Sequence, residues 1–424
     1  MGPRLSMVKR LVSFALTIGL SSLVGLVAVP IIIAGAGPEL WGIQAALQTA
    51  ATLFGVGVSF GWGTTGAAEI AGLPVDQRPQ EYANSLVSRA YLMLAVYPVM
   101  FCVMGILNPH HLALVAVGAA TFLMPFLGAS WYFVGEARPA RLFWLDGFPQ
   151  TFGVAVSVVV MIMTHDLVAV LATQLLFNLG AVTIAARHIF RSSTASPHFD
   201  LSPRSAFGRL GHQRHAVATS ATAALYVSLP LLIINAVAPA SLSLYAMGDK
   251  LFRFALTAFG PFLQLVQGWL PEGGPENLRH RIRQAARMTP VIGFGGGVAI
   301  AALGPWAAAI LSAHRIDFGP ALSVPFGVVF AAVAVTQVIG LACLVQLRAT
   351  RALAQSTLVG ALCGIPLIAL GAALSGAVGV AWALAISELA VLVYQYASLG
   401  RRMKESGPGR KATPPIDNEA AEGR

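Results

Sequence analysis

Long apolar runs dominate the pattern of hydrophobic and polar positions along this 424-residue chain. Each run is roughly 20 residues, enough to cross ~30 Å of hydrocarbon as a helix. The runs are continuous and do not alternate, which predicts an all-α polytopic membrane protein and not a barrel. The predicted spans cover residues 11–33, 40–66, 86–107, 112–134, 145–164, 167–187, 216–238, 242–270, 288–311, 319–347, 352–374 and 378–399.

Composition agrees with membrane insertion. The chain is 56% hydrophobic and 10% charged, whereas soluble domains have about 25% charged residues. The first apolar run follows Lys9 and Arg10 as in a signal peptide, but its length predicts a retained span. The three cysteines, Cys102, Cys343 and Cys363, lie in predicted spans without metal-ligand spacing, so neither disulfides nor a metal site nor a cofactor is expected.

The formal net charge of +10 is distributed as a topology signal. All but three of the 27 Lys and Arg residues fall on the side that holds the N-terminus, the even-numbered loops and the tail; the exceptions are Lys250, Arg253 and Arg315. The positive-inside rule therefore predicts that both termini are cytoplasmic. The basic excess indicates contact with the lipid bilayer and its anionic headgroups, and no nucleic-acid partner.

The two halves of the chain resemble each other at an offset of 210 residues. Arg138 and Arg141 align with Arg348 and Arg351, and Asn178 aligns with Glu388. An even number of spans per half predicts a direct repeat with a substrate path between two six-helix bundles. We expect an N-terminal bundle over 1–190, a cytoplasmic linker over 191–215 with a short surface helix near 203–214, a C-terminal bundle over 216–400 and a disordered tail over 401–424.

The eighth predicted span carries charges in its interior. Asp249, Lys250 and Arg253 share one side of the helix with Gln264, and the matching second span carries Gln44 and Gln48. Because charged groups within a membrane usually face protein or water, these two helices predict a central hydrophilic cleft that binds an anionic substrate. The alternative is structural: Asp249 and Arg253 neutralise each other at i,i+4 while Lys250 extends to the interface.

Other charges give weaker signals. Glu388 lies near the centre of the last span, where an acid is a candidate proton or cation site or a hydrogen-bonded packing residue. Glu69 and Asp146 are expected at the interface. Two matched pairs are expected at the cytoplasmic mouth, as topology signals or as collectors of phosphate: Arg138, Arg141, Arg348 and Arg351. No phosphate-binding loop is present, since the Gly293–Gly297 stretch lies in a span and predicts close helix packing, so an enzyme is not expected.

Several stretches resemble the polysaccharide transporter, or lipid-linked oligosaccharide flippase, family, in the superfamily that also holds multidrug extruders. They occur in order along residues 10–400 and include a turn after the first span and the opening of the eighth. The similar segments are Gly-Pro-Glu-Leu-Trp-Gly at 37–42, Phe-Gly-Trp-Gly-Thr at 60–64 with Glu-Ile-Ala at 69–71, Trp-Tyr-Phe-Val-Gly-Glu at 131–136, Leu-Tyr-Ala-Met-Gly-Asp-Lys-Leu at 244–251, and Val-Ala-Trp-Ala at 380–383 with Ser-Glu-Leu at 387–389.

The resemblance implies two six-helix bundles around a cavity that opens alternately to each side. It further implies a bacterial inner-membrane protein that moves a polyprenyl-pyrophosphate-linked oligosaccharide from the cytoplasmic to the outer leaflet for surface polysaccharide synthesis. Lys250 matches the family's lysine in the eighth span. Polysaccharide polymerases or glycosyltransferases are the expected protein partners.

Two other hypotheses remain open. A cation-coupled multidrug-type exporter would place acids in the cleft of the N-terminal bundle, and none is expected in the interior of the first six spans. A non-transporting membrane scaffold would recruit polysaccharide polymerases through the linker and tail.

Overall fold

A computed structural model of the protein describes residues 23–192 and 197–405. These residues form helices and connecting turns, with no strand among them. Residues 11–22 of the predicted first span and residues 406–424 of the tail lie outside the described residues. The helices of the first half are α1 (Leu23–Ala36), α2 (Pro38–Ser59), α3 (Trp62–Gly72), α4 (Arg78–Leu107), α5 (Leu112–Leu123), α6 (Ser130–Gly135), α7 (Pro139–Leu142), α8 (Phe148–Thr164) and α9 (Leu167–Arg191).

A short helix, α10 (Pro203–Gly208), leads into the second half. That half has fewer and longer helices. They are α11 (Arg214–Val237), α12 (Leu242–Glu272), α13 (Gly274–Leu311), α14 (Pro320–Gln337) and α15 (Thr350–Glu405). The helix α15 contains two spans, because Ser375 and Gly376 have non-helical backbone angles and Gly376 has φ 54°.

The helices account for twelve spans in two six-helix bundles related by the direct repeat. By length and apolar composition, eight helices of the described residues could cross a membrane, or nine if α2 and α3, bent by 41°, are one span. The helix α1 is described over only part of its predicted length, α12 carries internal charges and α15 holds two spans. The predicted polytopic all-α fold is therefore confirmed.

Some predicted boundaries are wrong. The third span begins at Arg78 instead of residue 86, and the fifth begins at Pro139 instead of 145. Both helices start with proline at their first or second position, where its missing N–H costs nothing. The last helix continues to Glu405, so the segment Arg401–Glu405 belongs to a helix and not to a disordered tail.

The hydrophobic core shows how the halves meet. We call the end of the bundle that carries the basic loops the basic end. The largest cluster of buried apolar side chains lies towards the opposite end and contains residues of both halves, including Leu47, Val115, Leu231 and Phe326. Two other clusters at the basic end each belong to one half, around Trp131 in the first and around residues 259–285 and 330–352 in the second. Within residues 23–192 and 197–405, the halves therefore share a core only towards the end opposite the basic loops.

The contact between halves is made by α2, which packs against α11 and α12. Ser228 Oγ of α11 donates to the Thr49 carbonyl of α2 at 3.2 Å. Nearer the opposite end, Gly42 has no side chain where α12 approaches, and an added Cβ would lie 3.1 Å from Ser243 Cα. Glycine at this position allows the two backbones to come close, as small residues commonly do between membrane helices.

Glycines also allow close packing of helices within the second half. A Cβ at Gly297 would lie 2.6 Å from the Gly327 carbonyl oxygen, and one at Gly293 would lie 3.0 Å from that of Ala331. The glycine stretch predicted to allow close packing therefore does so, between α13 and α14.

The linker is attached to the first half. Gln80 of α4 pairs with the backbone of His198 through both its amide oxygen and its amide nitrogen, at 2.8 Å each. Tyr91 Oη donates to the Leu201 carbonyl at 2.7 Å. The Ser205 hydroxyl and the Ser202 N–H donate to Asp200 and hold the pKa of that carboxyl below its usual value. The surface helix predicted in this region is present as α10, followed by a 3₁₀ segment over Arg209–Gln213.

The close approach of α2 and α12 predicts a specific disulfide. In a variant with the three native cysteines replaced by alanine, Gly42→Cys with Ser243→Cys should cross-link on mild oxidation, because the Cβ atoms would lie 3.3 Å apart. Disulfides span Cβ separations of about 3.5–4.5 Å, so the bond forms once the two backbones move apart by a few tenths of an ångström. Mass spectrometry after proteolysis would detect the bond. Either cysteine alone is the control, and failure to cross-link the pair would contradict this contact between halves.

Candidate functional site

A polar cavity lies between the two halves, inside the membrane-spanning region. Its volume is about 190 Å³. It is enclosed by α2 from the first half and by α11 and α12 from the second. The lining residues are Ala45, Gln48, Thr49, Thr52, Val227, Ser228, Leu231, Ala246, Asp249, Lys250 and Arg253.

The three charges of α12 face this cavity together. Arg253 Nε donates to Asp249 Oδ2 at 2.6 Å, with side-chain exposures of 41% and 15%. Lys250 Nζ lies 5.6 Å from the centroid of the Phe254 ring, and no carboxylate of the described residues lies within 4.0 Å of it. Because Asp249 neutralises only one of the two cations, the cluster keeps one positive charge.

A neighbouring face of α12, packed against α14, explains why these side chains point inwards. Gly248 lies against Phe326 of α14 so closely that any Cβ would overlap the ring, and Tyr245 is buried against the same ring. This packing fixes the rotation of α12. Asp249, Lys250 and Arg253 are consequently directed to the first half.

The predicted polar residues divide into those that reach the cavity and those that do not. Gln48 lines it, together with Thr52. Gln44 is buried one turn closer to the opposite end, and its Oε1 has no hydrogen-bond partner among the described residues. Gln264 is exposed and lies outside the cavity. It shares a helix face with Arg253, but it lies roughly 16 Å further along the axis, towards the end where the halves have separate cores.

Glu388 occupies a second polar site, inside the second half. Its side chain is buried, and Tyr226 Oη of α11 lies 2.7 Å from its Oε1. Tyr226 Oη is also 3.0 Å from Ser387 Oγ, which donates to the Gly360 carbonyl at 2.9 Å. This site therefore joins the seventh, eleventh and twelfth spans.

The two polar sites share α11. Val227, Ser228 and Leu231 line the cavity, whereas the adjacent Tyr226 turns to Glu388. A change at Glu388 that moves Tyr226 would thus act on a helix that forms one wall of the cavity.

The four arginines expected at one mouth do not form one cluster. Arg138 and Arg141 line a cavity at the basic end of the first half, with Asp76 and Glu136. Arg351 lines a separate cavity of the second half, and the exposed Arg348 lines neither. Each arginine pair lies in its own half of the protein. The 210-residue offset therefore predicted that the two pairs are equivalent, but it could not predict that they lie apart in space.

Two charged residues in the first half have roles that the sequence did not reveal. The charge distribution counts Arg89 among the cations of the basic side, and Asp146 is expected at the interface, yet both are buried in the structure. Arg89 Nη1 donates to the carbonyls of Phe126 and Gly128 at 3.0 and 2.9 Å, and its guanidinium lies 5.5 Å from the centroid of a Trp131 ring. These carbonyls lie where the fourth span is interrupted between α5 and α6, and a break within a membrane needs such donors.

The sequence Met-Pro-Phe-Leu-Gly at 124–128 could have predicted this break in the fourth span, because its proline and glycine interrupt an apolar run. Asp146 also corrects the expectation that the interior of the first six spans lacks acids. Its carboxylate lies near Gly128, where a Cβ would be 3.0 Å from Oδ1, and it does not line the cavity between the halves.

Solved structures of transporters share the all-helical fold of this chain. The lipid II flippase MurJ in an inward closed conformation matches with a TM-score of 0.66 at 13% identity, over 92% of this chain and 89% of that chain. Neither a protein-family model nor a curated protein sequence matches the chain.

Multidrug transporters have the same fold. An inward-facing MATE family transporter of the MOP superfamily matches with a TM-score of 0.60 at 14% identity, over 91% of this chain and 96% of that chain. An outward-facing MATE family transporter matches with 0.51 at 15% identity, over 93% and 95%. The fold predicted from the resemblance is confirmed.

Arg89 is expected to be essential for the stability of the first half. Arg89→Met would remove the donor to the carbonyls of Phe126 and Gly128, with an expected loss of about 1–3 kcal/mol for each carbonyl left unpaired. The shift of the unfolding transition in detergent measures it. The matched control is Arg191→Met, an exposed arginine of the same half, which should change stability by about 0.5 kcal/mol or less. Equal effects of the two variants would contradict the role of Arg89.

Proposed function

We propose that the protein is a flippase that moves a polyprenyl-pyrophosphate-linked oligosaccharide from the cytoplasmic to the outer leaflet. The observation that carries this proposal is the uncompensated positive charge in the cavity between the halves. An isolated charge within a membrane is costly, about 2.5–3.5 kcal/mol on insertion scales, so its retention favours a functional role. An anionic substrate would supply the missing counter-charge.

The size of the cavity indicates which part of the substrate it could hold. A volume of about 190 Å³ admits a pyrophosphate but not an oligosaccharide. Lys250 and Arg253 would bind the phosphate oxygens, while Asp249 holds the Arg253 guanidinium in place. The sugars would extend towards the basic end, within reach of polar groups such as Gln48 and Thr52, and the lipid tail would remain in the bilayer.

A proton at Glu388 is the proposed coupling ion, because the hydrogens of this site can be counted. Each hydroxyl supplies one hydrogen, and that of Ser387 goes to Gly360. If Tyr226 donates to an ionised Glu388, the 3.0 Å contact between the Tyr226 and Ser387 oxygens contains no hydrogen. A proton on Glu388 completes the chain from Glu388 to Tyr226, to Ser387 and to Gly360.

The proposed location is the bacterial cytoplasmic membrane, with the basic end and both termini in the cytoplasm. The basic loops support this orientation, and the core shared at the opposite end then corresponds to a state closed to the outside. Polysaccharide polymerases or glycosyltransferases that supply or consume the substrate are the proposed partners.

The proposed function requires both cations. Lys250→Ala with Arg253→Ala should reduce flipping of a fluorescent lipid-linked oligosaccharide in proteoliposomes about a hundredfold or more, because charge-assisted hydrogen bonds are worth ~1.5–3 kcal/mol each. The control is Leu265→Ala, a change at an exposed apolar residue of the same helix that does not line the cavity, and this variant should flip at the wild-type rate.

The same assay separates the alternatives. Lys250→Arg should keep most of the activity, since the charge remains. Unchanged flipping in the double variant would contradict the anionic site, and uptake of organic cations without flipping would identify a multidrug-type exporter. Variants without the tail or with a replaced linker test the scaffold hypothesis. If they flip at the wild-type rate but cells lose polysaccharide assembly, the protein is a scaffold.

Glu388→Gln should uncouple transport from the proton gradient. Glutamine retains an N–H donor for Tyr226 but cannot release a proton, so flipping should lose its dependence on an imposed pH difference. The wild type should respond to that difference. The measurement is the initial flipping rate in proteoliposomes with and without a pH gradient, with Gln355→Glu as a control that adds an acid elsewhere in the same half. A variant that responds to the gradient like the wild type would refute proton coupling at Glu388.

A further inference from the structure

A second cationic cavity lies at the basic end of the second half, away from the cavity between the halves. It has a volume of about 540 Å³ and is formed where the eleventh span begins and the twelfth ends. Arg351 and Gln355 come from the eleventh span, and Tyr394, Ser398, Arg401 and Arg402 come from the twelfth.

The lining of this cavity contains arginines and no acid. Arg351 and Arg401 line it together with Arg402, which has a contact of its own, and none of the described lining residues is acidic. The corresponding cavity of the first half, about 410 Å³, contains Arg138 and Arg141 but also Asp76 and Glu136. There, Arg141 Nη1 lies 3.3 Å from Glu136 Oε2. Both cavities lie at the same end of the protein, so a rule about membrane topology explains their shared arginines but not this difference.

The floor of the cavity is already organised for an acceptor-rich ligand. Tyr394 Oη donates to Gln355 Oε1 at 2.7 Å, which leaves the Gln355 amide hydrogens free to donate. Arg401 Nη2 lies 3.4 Å from Ser398 Oγ, which holds the guanidinium over the floor. Planar guanidinium groups bind phosphate oxygens in pairs, so these residues together suit a phosphate group.

The position of the cavity relative to the bilayer indicates which kind of molecule would carry the phosphate. The last span runs from residue 377 to residue 405, which is roughly 43 Å of helix at 1.5 Å per residue. Since the hydrocarbon core is ~30 Å thick, the end of this helix reaches the level of the lipid headgroups. A tyrosine beside several arginines is typical of that level of the membrane.

We propose that this cavity binds the phosphate-bearing headgroup of an anionic phospholipid. The site is separate from the cavity that contains Lys250, and the proposal holds whether or not the protein is a flippase. A bound headgroup would link the start of the eleventh span to the end of the twelfth, the two spans that carry Gly360 and Glu388.

The experiment compares lipid retention by two matched double variants. The full chain is purified from nanodiscs containing phosphatidylcholine and phosphatidylglycerol, and bound lipids are counted by native mass spectrometry. Arg351→Gln with Arg401→Gln should lose one phosphatidylglycerol that the wild type retains, with about tenfold weaker binding. Arg138→Gln with Arg141→Gln removes the same number of charges from the balanced cavity and should retain that lipid.

Three outcomes decide the proposal. Selective loss in the second-half variant, with an unchanged unfolding temperature in lipid-free detergent, supports a headgroup site. Equal loss in both variants overturns it, because bulk surface charge then explains retention. Displacement of the retained lipid by millimolar inorganic phosphate, accompanied by stabilisation in phosphatidylcholine nanodiscs alone, overturns the lipid assignment in favour of a soluble phosphate ligand.

Discussion

The structure depends on one constraint: a polar group placed within the hydrocarbon core must find its partner inside the protein. Arg89 meets this requirement for the interrupted fourth span by donating to the carbonyls of Phe126 and Gly128. Asp249 meets it for Arg253, and Tyr226 with Ser387 meets it for Glu388. Lys250 is different, because its ammonium contacts an aromatic ring and no carboxylate of the described residues. This ammonium faces the cavity beside the Asp249–Arg253 pair.

The same constraint relates the two polar sites through a single helix. One face of α11 carries Ser228 and Leu231 into the cavity, and the neighbouring face carries Tyr226 to Glu388. A proton that rearranges the hydrogen bonds of Tyr226 would therefore act on a cavity wall from outside the cavity. Because α11 also packs on α2, this movement would reach the interface between the halves.

The fold was largely predictable, since continuous apolar runs, a basic bias in alternate loops and a half-to-half match each follow from how helices cross a membrane. The candidate site was predictable in part. Helical periodicity placed Asp249, Lys250, Arg253 and Gln48 on facing surfaces, and the structure brings them into one cavity. The same periodicity could not exclude Gln264, because a helical wheel reports rotation about the axis but not the distance along it to where the halves separate.

The sequence by itself determined the number of spans, their orientation relative to one another and the helix that carries the intramembrane charges, because these follow from local hydropathy and charge. Only the tertiary structure decided which charges are compensated. It paired Arg89 with a break in another span and moved Asp146 from the interface to the interior. It also separated the arginine pairs into two cavities, of which only the first has described acidic residues in its lining. Compensation of a charge depends on contacts between residues that are far apart in the chain, and no local pattern contains that information.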